Sequence, residues 1–503
     1  YNMSADILSF IIFLPAIVAI GLMITTRDVN TIRNIAFLTT TVILALVLKL
    51  YLEFEPSSGM QFVTNVAWIE TYGINYYIGL DGISLTILMM IAILIPTSYL
   101  LLWEGKTKGY WINMLLVQTG VTGTLLSLDV VLFYFFWEIM LLPVFLMIGQ
   151  FGFGDKVFTT IKVTVYTMAG SLLMLVAILY LGVAYHSEFG VWSFAYDKLM
   201  QISILDYNTK VWLFLGFLVA FAIKIPLFPL HTWIMETYKN APTGAVFLLS
   251  SIMAKLGVYA VLRFMIPLFP EVYIEFSTWF VIIGLFGLVY FGIAALMQDD
   301  IKRMFAYSSA SHLSFIAAGI FSLNSYGING ALYLIIAHAI ATGALFLLVG
   351  LMQEQTGFKT IKDLGGIAKK APIFTFVFAV MLFANVGLPG TNGFVSELLI
   401  IFGVFNFNIY LGVIAALSVI IGASYMLWMF QRAILQDRPE GSAELNMRDL
   451  KIKEIVGLVP WVVLVFIMGF YPEVFIDKFE PTVTHYLQDI LQIGATRWVI
   501  LFI

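Results

Sequence analysis

The sequence predicts an all-α polytopic membrane protein with about 14 transmembrane helices. Of its 503 residues, 61% are apolar and only 11% are charged, whereas a soluble domain has roughly 25% charged residues. The apolar residues form continuous runs of about 20, the length at which a helix crosses a ~30 Å hydrocarbon core. A membrane β-barrel would instead show alternating segments of ~10 residues. The composition therefore excludes a soluble enzyme, a nucleic-acid binder and a disordered chain.

The apolar runs also predict how the chain is divided. The 14 predicted spans cover residues 5–25, 32–52, 82–103, 110–128, 130–150, 158–185, 211–237, 242–267, 275–297, 302–322, 328–352, 372–404, 408–431 and 455–476. We expect four parts along the chain: an N-terminal three-helix segment (1–109), a first five-helix repeat (110–267), a second five-helix repeat (268–431), and a loop, last span and tail (432–503).

The basic residues sort by side of the membrane. Loops after odd-numbered spans hold 18 of the 26 Lys and Arg residues, and loops after even-numbered spans hold 6. The positive-inside rule then places the basic loops in the cytoplasm and both termini on the non-cytoplasmic side. The remaining two, Lys224 and Lys255, lie within spans.

Four charged residues lie at predicted bilayer depth: Glu138, Lys224, Lys255 and Glu397. Each costs at least ~2.5–3.5 kcal/mol on insertion scales, so each must pair, contact water or lose its charge. One interpretation is a set of structural ion pairs or of side chains that snorkel to the interface. The other, which we favour, is a relay for protons or cations.

Two histidines fall within neighbouring spans, His312 in the tenth and His338 in the eleventh. An imidazole can carry a proton near neutral pH, which fits a relay. They could instead be hydrogen-bonded core residues or, more remotely, axial haem ligands. The chain has no Cys and no P-loop, GxGxxG or HxxxH motif, so we expect no cofactor in this chain.

Two spans are interrupted at matching places. Pro226 and Pro229 interrupt the seventh span, and the GLPGTNG sequence at 387–393 interrupts the twelfth. Irregular backbone at membrane depth is tolerated where it is buried in protein or lines a hydrated cavity. The spacing predicts two five-helix repeats, spans 4–8 and 9–13, and the odd number of crossings makes the second copy inverted. SIMAKLGVYAVLR (251–263) aligns without gaps on IIGASYMLWMFQR (420–432), and broken helices in inverted repeats mark transport paths.

Five motifs in this order carry a family resemblance: FYFFWEIMLLPVFLMIG, KIPLFPLHTW, APTGAVFLLSSIMAKLGVYAVLRF, DDIKRMFAYSSASHLSF and GLPGTNGFVSE. The chain resembles the antiporter-like subunits of respiratory complex I, a family that includes the large subunits of Mrp-type antiporters and of membrane-bound hydrogenases. Within the family it is similar to the M-type (chain 4) branch, because Glu397 stands where other branches usually have a lysine. The length of 503 residues also leaves no room for the lateral helix of L-type chains.

The resemblance implies roles for the buried residues. It implies that Glu138 pairs with Lys224, that Lys255 is the central proton carrier, that His312 and His338 hold a water chain, and that Glu397 receives the proton. It further implies a proton-translocating subunit of an NADH:quinone oxidoreductase without a redox centre of its own. Flavin, iron–sulfur clusters and quinone would be held by partner subunits, the neighbours would be L-type and N-type subunits, and the location would be an energy-transducing membrane such as the bacterial inner membrane.

Three alternatives stay open from the sequence. An Mrp-type subunit would exchange Na⁺ for H⁺, and a hydrogenase-linked or other quinone-linked complex would use the same pump with another electron donor. A non-conducting scaffold would tolerate neutralisation of its buried charges, because replacing a buried ion pair by apolar groups is often neutral or stabilising.

Overall fold

The fold is built from long helices, and one short hairpin interrupts them. The computed structural model describes residues 3–25 and 27–501. The first half contains α1 (Met3–Thr25), α2 (Val29–Glu53), β1 (Gln61–Ile69), β2 (Ile74–Leu80), α3 (Gly82–Leu101), α4 (Lys108–Leu126), α5 (Val130–Phe151), α6 (Lys156–Phe189), α7 (Tyr196–Leu199), α8 (Tyr207–Lys224), α9 (Ile234–Asn240), α10 (Thr243–Phe247), α11 (Ala254–Ala260) and α12 (Ile266–Leu268). The second half contains α13 (Pro270–Leu296), α14 (Ile301–Ile320), α15 (Ser325–Thr356), α16 (Ile367–Lys370), α17 (Pro372–Val386), α18 (Asn392–Phe407), α19 (Ile409–Phe430), α20 (Ile452–Phe470) and α21 (Glu473–Leu501).

The predicted class, an all-helical membrane protein, is confirmed. Each of the predicted apolar runs falls on a helix. In the described part of the chain, 11 helices are long and apolar enough to cross a membrane, while α17 and α18 are shorter apolar helices. The number of 14 spans therefore stays a prediction, since α4 and α14 are not among the 11.

Both predicted helix breaks are present. Helix α8 ends at Lys224, the peptide bonds before Pro226 and Pro229 are cis, and the helix resumes at α9. Helix α17 ends at Val386, and Gly387 follows with a φ of 84°. That backbone conformation suits glycine, because a Cβ clashes there.

A second feature supports the predicted repeat. α10, α11 and α12 form one continuous helix, Thr243–Leu268, which includes the π-helical segments Leu248–Met253 and Val261–Met265. Helix α19 continues into a π segment at Gln431–Leu435. The two aligned 13-residue sequences thus both run into a π segment, and these segments carry the aligned Arg263 and Arg432.

Two elements were not predicted. Strands β1 and β2 pair antiparallel, with Asn65 opposite Tyr77, and the buried Asp129 at the start of α5 fixes the hairpin by accepting a hydrogen bond from the Asn75 amide at 3.0 Å. The other element is α21, a 29-residue helix in the region that the sequence analysis treated as the end of a span and a tail.

The centre of the molecule is formed by two helices, Thr243–Leu268 and α15. The most apolar stretch of each is completely buried, whereas that of α1 or α2 is only 33% buried. Lys255 lies on the first of these central helices and His338 on the second. Lys255 and His338 therefore lie where the surrounding protein excludes the bilayer most completely.

The two ends of the helices form two faces of different composition. The base-rich face contains residues 102–107, 297–300 and 436–451, and the base-poor face contains residues 54–81, 190–206 and 471–472. Ion pairs hold loops and helix ends together within the base-rich face: Lys106–Glu354 at 2.8 Å, Lys451–Glu104 at 2.9 Å and Arg448–Glu454 at 2.8 Å. The hydrogen bond from Lys451 holds the pKa of the Glu104 carboxyl below its usual value.

Close contact between α4 and α5 generates a stability prediction. A Cβ at Gly120 would lie 2.5 Å from the Met140 Cα, whereas a Cβ at Gly422 in α19 would have nothing within 4 Å. Alanine favours a helix over glycine by about 1 kcal/mol, but overpacking costs about 1–3 kcal/mol. We expect Gly120→Ala to lower the melting temperature of the purified protein in detergent. Gly422→Ala is the matched control and should leave it unchanged or raise it. A Gly120→Ala protein as stable as this control would contradict the packing described here.

Candidate functional site

Lys255 is the central cation of the site, and its side chain is completely buried. It lies in the α-helical stretch between the two π segments, and its Nζ donates a hydrogen bond to the Ser250 carbonyl in the first of them. The Ser250 and Ser251 hydroxyls are buried and have no partner among the described residues. π segments inside α-helices are frequent at functional sites, and this one surrounds Lys255 with hydrogen-bonding groups.

His338 and His312 continue the polar row away from Lys255. Lys255 lies close enough to His338 to act on it electrostatically. The two imidazole rings are stacked, with their centroids 5.1 Å apart and an interplanar angle of 28°. Neither ring nitrogen of His338 has a hydrogen-bond partner among the described residues. No protein group therefore fixes the His338 ring through a hydrogen bond. Buried polar groups without protein partners normally bind water, so we expect its nitrogens to bind water.

His312, in contrast, is fixed through both ring nitrogens. Its Nδ1 lies 2.9 Å from the Ser308 carbonyl oxygen, and its Nε2 lies 3.1 Å from the Asn385 carbonyl oxygen. Carbonyl oxygens only accept hydrogen bonds. In the imidazolium form both nitrogens donate at once, and the Glu397 carboxylate then supplies the opposite charge with Oε1 3.4 Å from Nε2.

The break between α17 and α18 creates the surroundings of this ion pair. Because α17 ends at Val386, the Asn385 carbonyl has no intrahelical donor and is free to accept from His312. A Cβ on Gly387 would lie 2.7 Å from Glu397 Oε2. The glycine thus leaves the space that the carboxylate occupies, and the interrupted helix supplies both an acceptor and a cavity for the acid.

Glu138 and Lys224 lie near each other but are not in contact. Glu138 acts electrostatically on Lys224, yet the two charged groups do not come within 4 Å, and Glu138 Oε1 and Lys224 Nζ have no hydrogen-bond partner among the described residues. In this structure Glu138 and Lys224 do not make the direct pair that the family resemblance implies, and Lys224 Nζ lies instead over the Trp137 ring, 4.9 Å from its centroid. The side chain of Glu138 is only partly buried.

Lys224 is nevertheless connected to Lys255 through the backbone that carries them. A Cβ built on Gly257 would lie 3.1 Å from the Lys224 Cβ. The aliphatic part of the Lys224 side chain therefore packs against the helix that carries Lys255, at Gly257, two residues after Lys255. Lys255, His338, His312 and Glu397 thus form one row. Lys224 adjoins this row through the contact of its side chain with the helix of Lys255, and Glu138 lies beyond Lys224.

Further charges are buried that the sequence did not single out. Besides Lys224, Lys255 and Glu397, the described residues bury Asp81, Asp129, Arg263, Lys302 and Glu454. Hydropathy places these five in loops or at span ends, because the span limits that it gives are uncertain by several residues. One signal for Arg263 was available, since it follows Lys255 by eight residues and therefore lies on the same helical face.

The donor geometry argues against a haem between the two histidines. Axial haem ligands approach iron from opposite faces, whereas the rings of His312 and His338 stack on each other. Both His312 nitrogens are also directed at carbonyl oxygens and have no lone pair to offer. Within residues 3–25 and 27–501, no group of three or more His, Asp or Glu side chains has the arrangement of a metal site. What the row can do is hold and pass protons.

Comparisons with known proteins give a consistent result. The sequence model of the family described as "NADH:quinone oxidoreductase/Mrp antiporter, TM" matches residues 127–422, more than half of the chain. NADH-quinone oxidoreductase subunit M of Rhodobacter capsulatus is 34% identical, with 96% of this chain and 97% of the relative covered. NADH-ubiquinone oxidoreductase chain 4 of Marchantia polymorpha is 33% identical over the same shares.

Solved structures agree with these relatives. A chain of respiratory complex I from Thermus thermophilus has a TM-score of 0.86 and 29% identity, with 97% of this chain and 99% of that chain covered. A chain of the Mrp complex from Dietzia sp. has a TM-score of 0.85 and 18% identity, with 98% and 100% covered. The second likeness shows a shared fold.

The space left by Gly387 generates a prediction about the buried ion pair. Gly387→Ala puts a Cβ at a φ of 84° and against Glu397 Oε2, whereas Gly357→Ala puts one at a φ of 72° with nothing within 4 Å. The left-handed conformation alone costs about 1–2 kcal/mol, and disrupting a buried ion pair costs about 3–5 kcal/mol. We expect Gly387→Ala to lower the free energy of unfolding by at least about 3 kcal/mol more than Gly357→Ala, measured by denaturant titration in detergent. Equal losses would contradict the described contact.

Proposed function

The chain belongs to the family of NADH:quinone oxidoreductase and Mrp antiporter transmembrane subunits, and from this premise we propose that it is a proton-translocating subunit in the membrane arm of an NADH:quinone oxidoreductase. The observation that carries the proposal is the row of buried ionisable groups from Lys255 through His338 and His312 to Glu397, which Lys224 adjoins. The row passes from the first predicted repeat into the second. Buried ionisable residues in a membrane protein are costly and mark ion pathways.

The proposed relay begins at Lys255. A proton held on its ammonium group moves towards His338, whose two free nitrogens allow it to donate on one side and accept on the other. His312 already carries a proton in its doubly hydrogen-bonded form. The proton on His312 Nε2 moves first to Glu397 Oε1, and the lone pair that this leaves on Nε2 accepts the proton that arrives through His338. Rotation of the carboxyl group then brings the protonated oxygen to the position of Oε2, which has no hydrogen-bond partner among the described residues, and the proton is released from there.

Lys224 and Glu138 supply the driving step in this proposal. A change in the separation of Glu138 from Lys224 alters how strongly Lys224 holds its charge, and that charge repels the proton on Lys255. If the step brings the two ammonium groups to ~6 Å, they interact by ~3 kcal/mol at an effective dielectric of ~20, a factor of about 100 in proton affinity. The contact of Lys224 with the Trp137 face, without a direct ion pair, leaves the lysine free to respond.

The energy for that step would come from outside the chain. We propose that partner subunits hold the flavin, iron–sulfur clusters and quinone, and that the neighbours in the membrane are L-type and N-type antiporter-like subunits. The complex would lie in a bacterial inner membrane, with the base-rich face towards the cytoplasm and both termini on the other side. An Mrp-type Na⁺/H⁺ antiporter subunit is the nearest alternative, and dependence of transport on Na⁺ together with the co-purifying subunits would separate the two.

The first functional prediction concerns the two ends of the driving step. In the purified complex reconstituted into vesicles, Lys255→Ala or Glu138→Gln should slow proton transfer through this chain at least about tenfold, because a charge step of ~3 kcal/mol is lost. The number of protons moved per NADH should fall by the share that this chain carries. Lys362 is an exposed lysine, and the matched control is Lys362→Ala, with which the complex should pump normally. Normal pumping by either assembled variant would overturn the relay and favour a scaffold.

The second functional prediction concerns the terminal acid. Glu397→Gln removes the carboxylate that faces His312 at 3.4 Å, so His312 is left as an uncompensated buried cation and the relay loses its acceptor. We expect slower proton release from vesicles during turnover, while the assembled complex keeps its quinone-binding subunits. Restoration of release by Glu397→Asp would support the role of the charge, and normal release by Glu397→Gln would contradict the assignment of Glu397 as the outlet.

A further inference from the structure

Arg263 and Asp81 form an ion pair that the proposed relay does not use. Arg263 Nη2 lies 2.6 Å from Asp81 Oδ2, and the side chains are only 8% and 2% exposed. Asp81 is also the N-cap of α3, where its Oδ1 accepts hydrogen bonds from the Ser84 amide at 3.0 Å and the Ser84 hydroxyl at 3.1 Å. Both carboxylate oxygens are thus engaged, so the acid is held in place and holds Arg263 in turn.

The pair lies in line with the central lysine. Lys255, Tyr259 and Arg263 are spaced by four residues on the helix Thr243–Leu268 and therefore share one face. At ~1.5 Å per residue, Arg263 lies ~12 Å from Lys255 along the helix axis, towards the base-poor face. Tyr259 lies between them: its hydroxyl accepts from Arg263 Nε at 2.9 Å and donates to the Leu125 carbonyl at 2.7 Å.

A cavity lies on the outer side of the pair. Its volume is about 380 Å³, and Asp81 and Arg263 contribute to its lining together with Asp197, His485 and Asp489. The last three side chains are exposed, so the cavity reaches the base-poor surface. Solvent at that surface therefore approaches Arg263 and Asp81, and beyond them lie Tyr259 and then Lys255.

Helix α21 closes the structure around the pair. The Tyr486 hydroxyl donates to the Leu262 carbonyl at 2.7 Å. A Cβ on Gly82, the residue after Asp81, would lie 2.2 Å from the Lys478 carbonyl oxygen. The backbone of α21 therefore packs directly on the start of α3, and Asp81 and Arg263 are held between them.

We propose that Arg263, held by Asp81, is an electrostatic barrier that prevents protons from passing between Lys255 and the base-poor cavity. The inference rests on the proposed function, since it assigns a direction to the relay. A guanidinium stays protonated in proteins and has no lone pair with which to relay a proton. A fixed positive charge in a narrow path repels protons and other cations, as in pores that exclude them.

The barrier has a consequence for the relay. With the first repeat closed at its base-poor end, a proton on Lys255 leaves by way of His338, His312 and Glu397. Arg263 is thus a positioning residue that makes lateral transfer the open route. A barrier and a purely structural ion pair differ in what they require. A barrier requires only the positive charge of Arg263, whereas a structural ion pair requires both Arg263 and Asp81.

The test uses variants of the purified complex in vesicles, with passive proton influx measured under an imposed potential and protons counted per NADH during turnover. The principal variant is Asp81→Asn with Arg263→Gln, which removes the barrier without leaving an unpaired buried charge. We expect passive influx to rise at least about twofold: the guanidinium no longer blocks the path, and the field of the neutral pair at Lys255, ~12 Å away at an effective dielectric of ~20, is weaker than that of a unit charge. The single Asp81→Asn keeps the guanidinium and should not raise passive influx.

Two further variants separate the possible causes. Arg448→Gln breaks another ion pair, with Glu454 on the base-rich face, and should cause no leak. Adding Lys255→Ala to the doubly neutral variant should abolish the leak, because the leak passes through Lys255. The barrier would be overturned if Asp81→Asn with Arg263→Gln showed no rise in passive proton influx. It would also be overturned if Asp81→Asn alone raised the influx as much as the double variant does. Normal pumping by Lys255→Ala alone would instead overturn the proposed function.

Discussion

The contact between His312 and Glu397 depends on an interruption of the helix that carries the acid, and the remaining polar architecture depends on that contact. An unbroken helix would use the Asn385 carbonyl for its own hydrogen bond and would fill the space beside Glu397. Because α17 stops at Val386, the freed Asn385 carbonyl accepts a hydrogen bond from His312 and orients its ring beside Glu397. Glycine at position 387 leaves room for the carboxylate. The break between α17 and α18 therefore accommodates the His312–Glu397 pair inside an apolar protein.

The protein holds its buried cations in two different ways. Lys224 and Lys255 have few partners: an aromatic face for one and a backbone carbonyl for the other. Arg263 has a carboxylate and a tyrosine hydroxyl, and its acid is fixed by a capping box. A lysine releases its proton more readily when its charged form is only weakly stabilised. A group that stays charged needs strong compensation, and the difference in contacts follows that division.

Much of the fold was predictable because its signals are local. Apolar runs define helices, prolines and glycines mark the two breaks, and charges such as Lys255 and Glu397 are conspicuous in apolar sequence. The hairpin β1–β2 and the helix α21 were missed because their stability comes from packing against other elements. The Asp81–Arg263 pair joins residues 182 positions apart, so its pairing could not be predicted from span limits. The aromatic contact of Lys224 likewise depends on how α5 and α8 pack.

The central claim is that Glu397 receives a proton that has passed through Lys255. Infrared difference spectroscopy of the reconstituted complex during NADH-driven turnover tests it most directly, by following the carbonyl stretch of a protonated carboxyl group. The account predicts a signal that disappears in Glu397→Gln and also in Lys255→Ala, since no proton then arrives. A Glu397 signal of full size in assembled Lys255→Ala would contradict the account, because the acid would then take up its proton by another route.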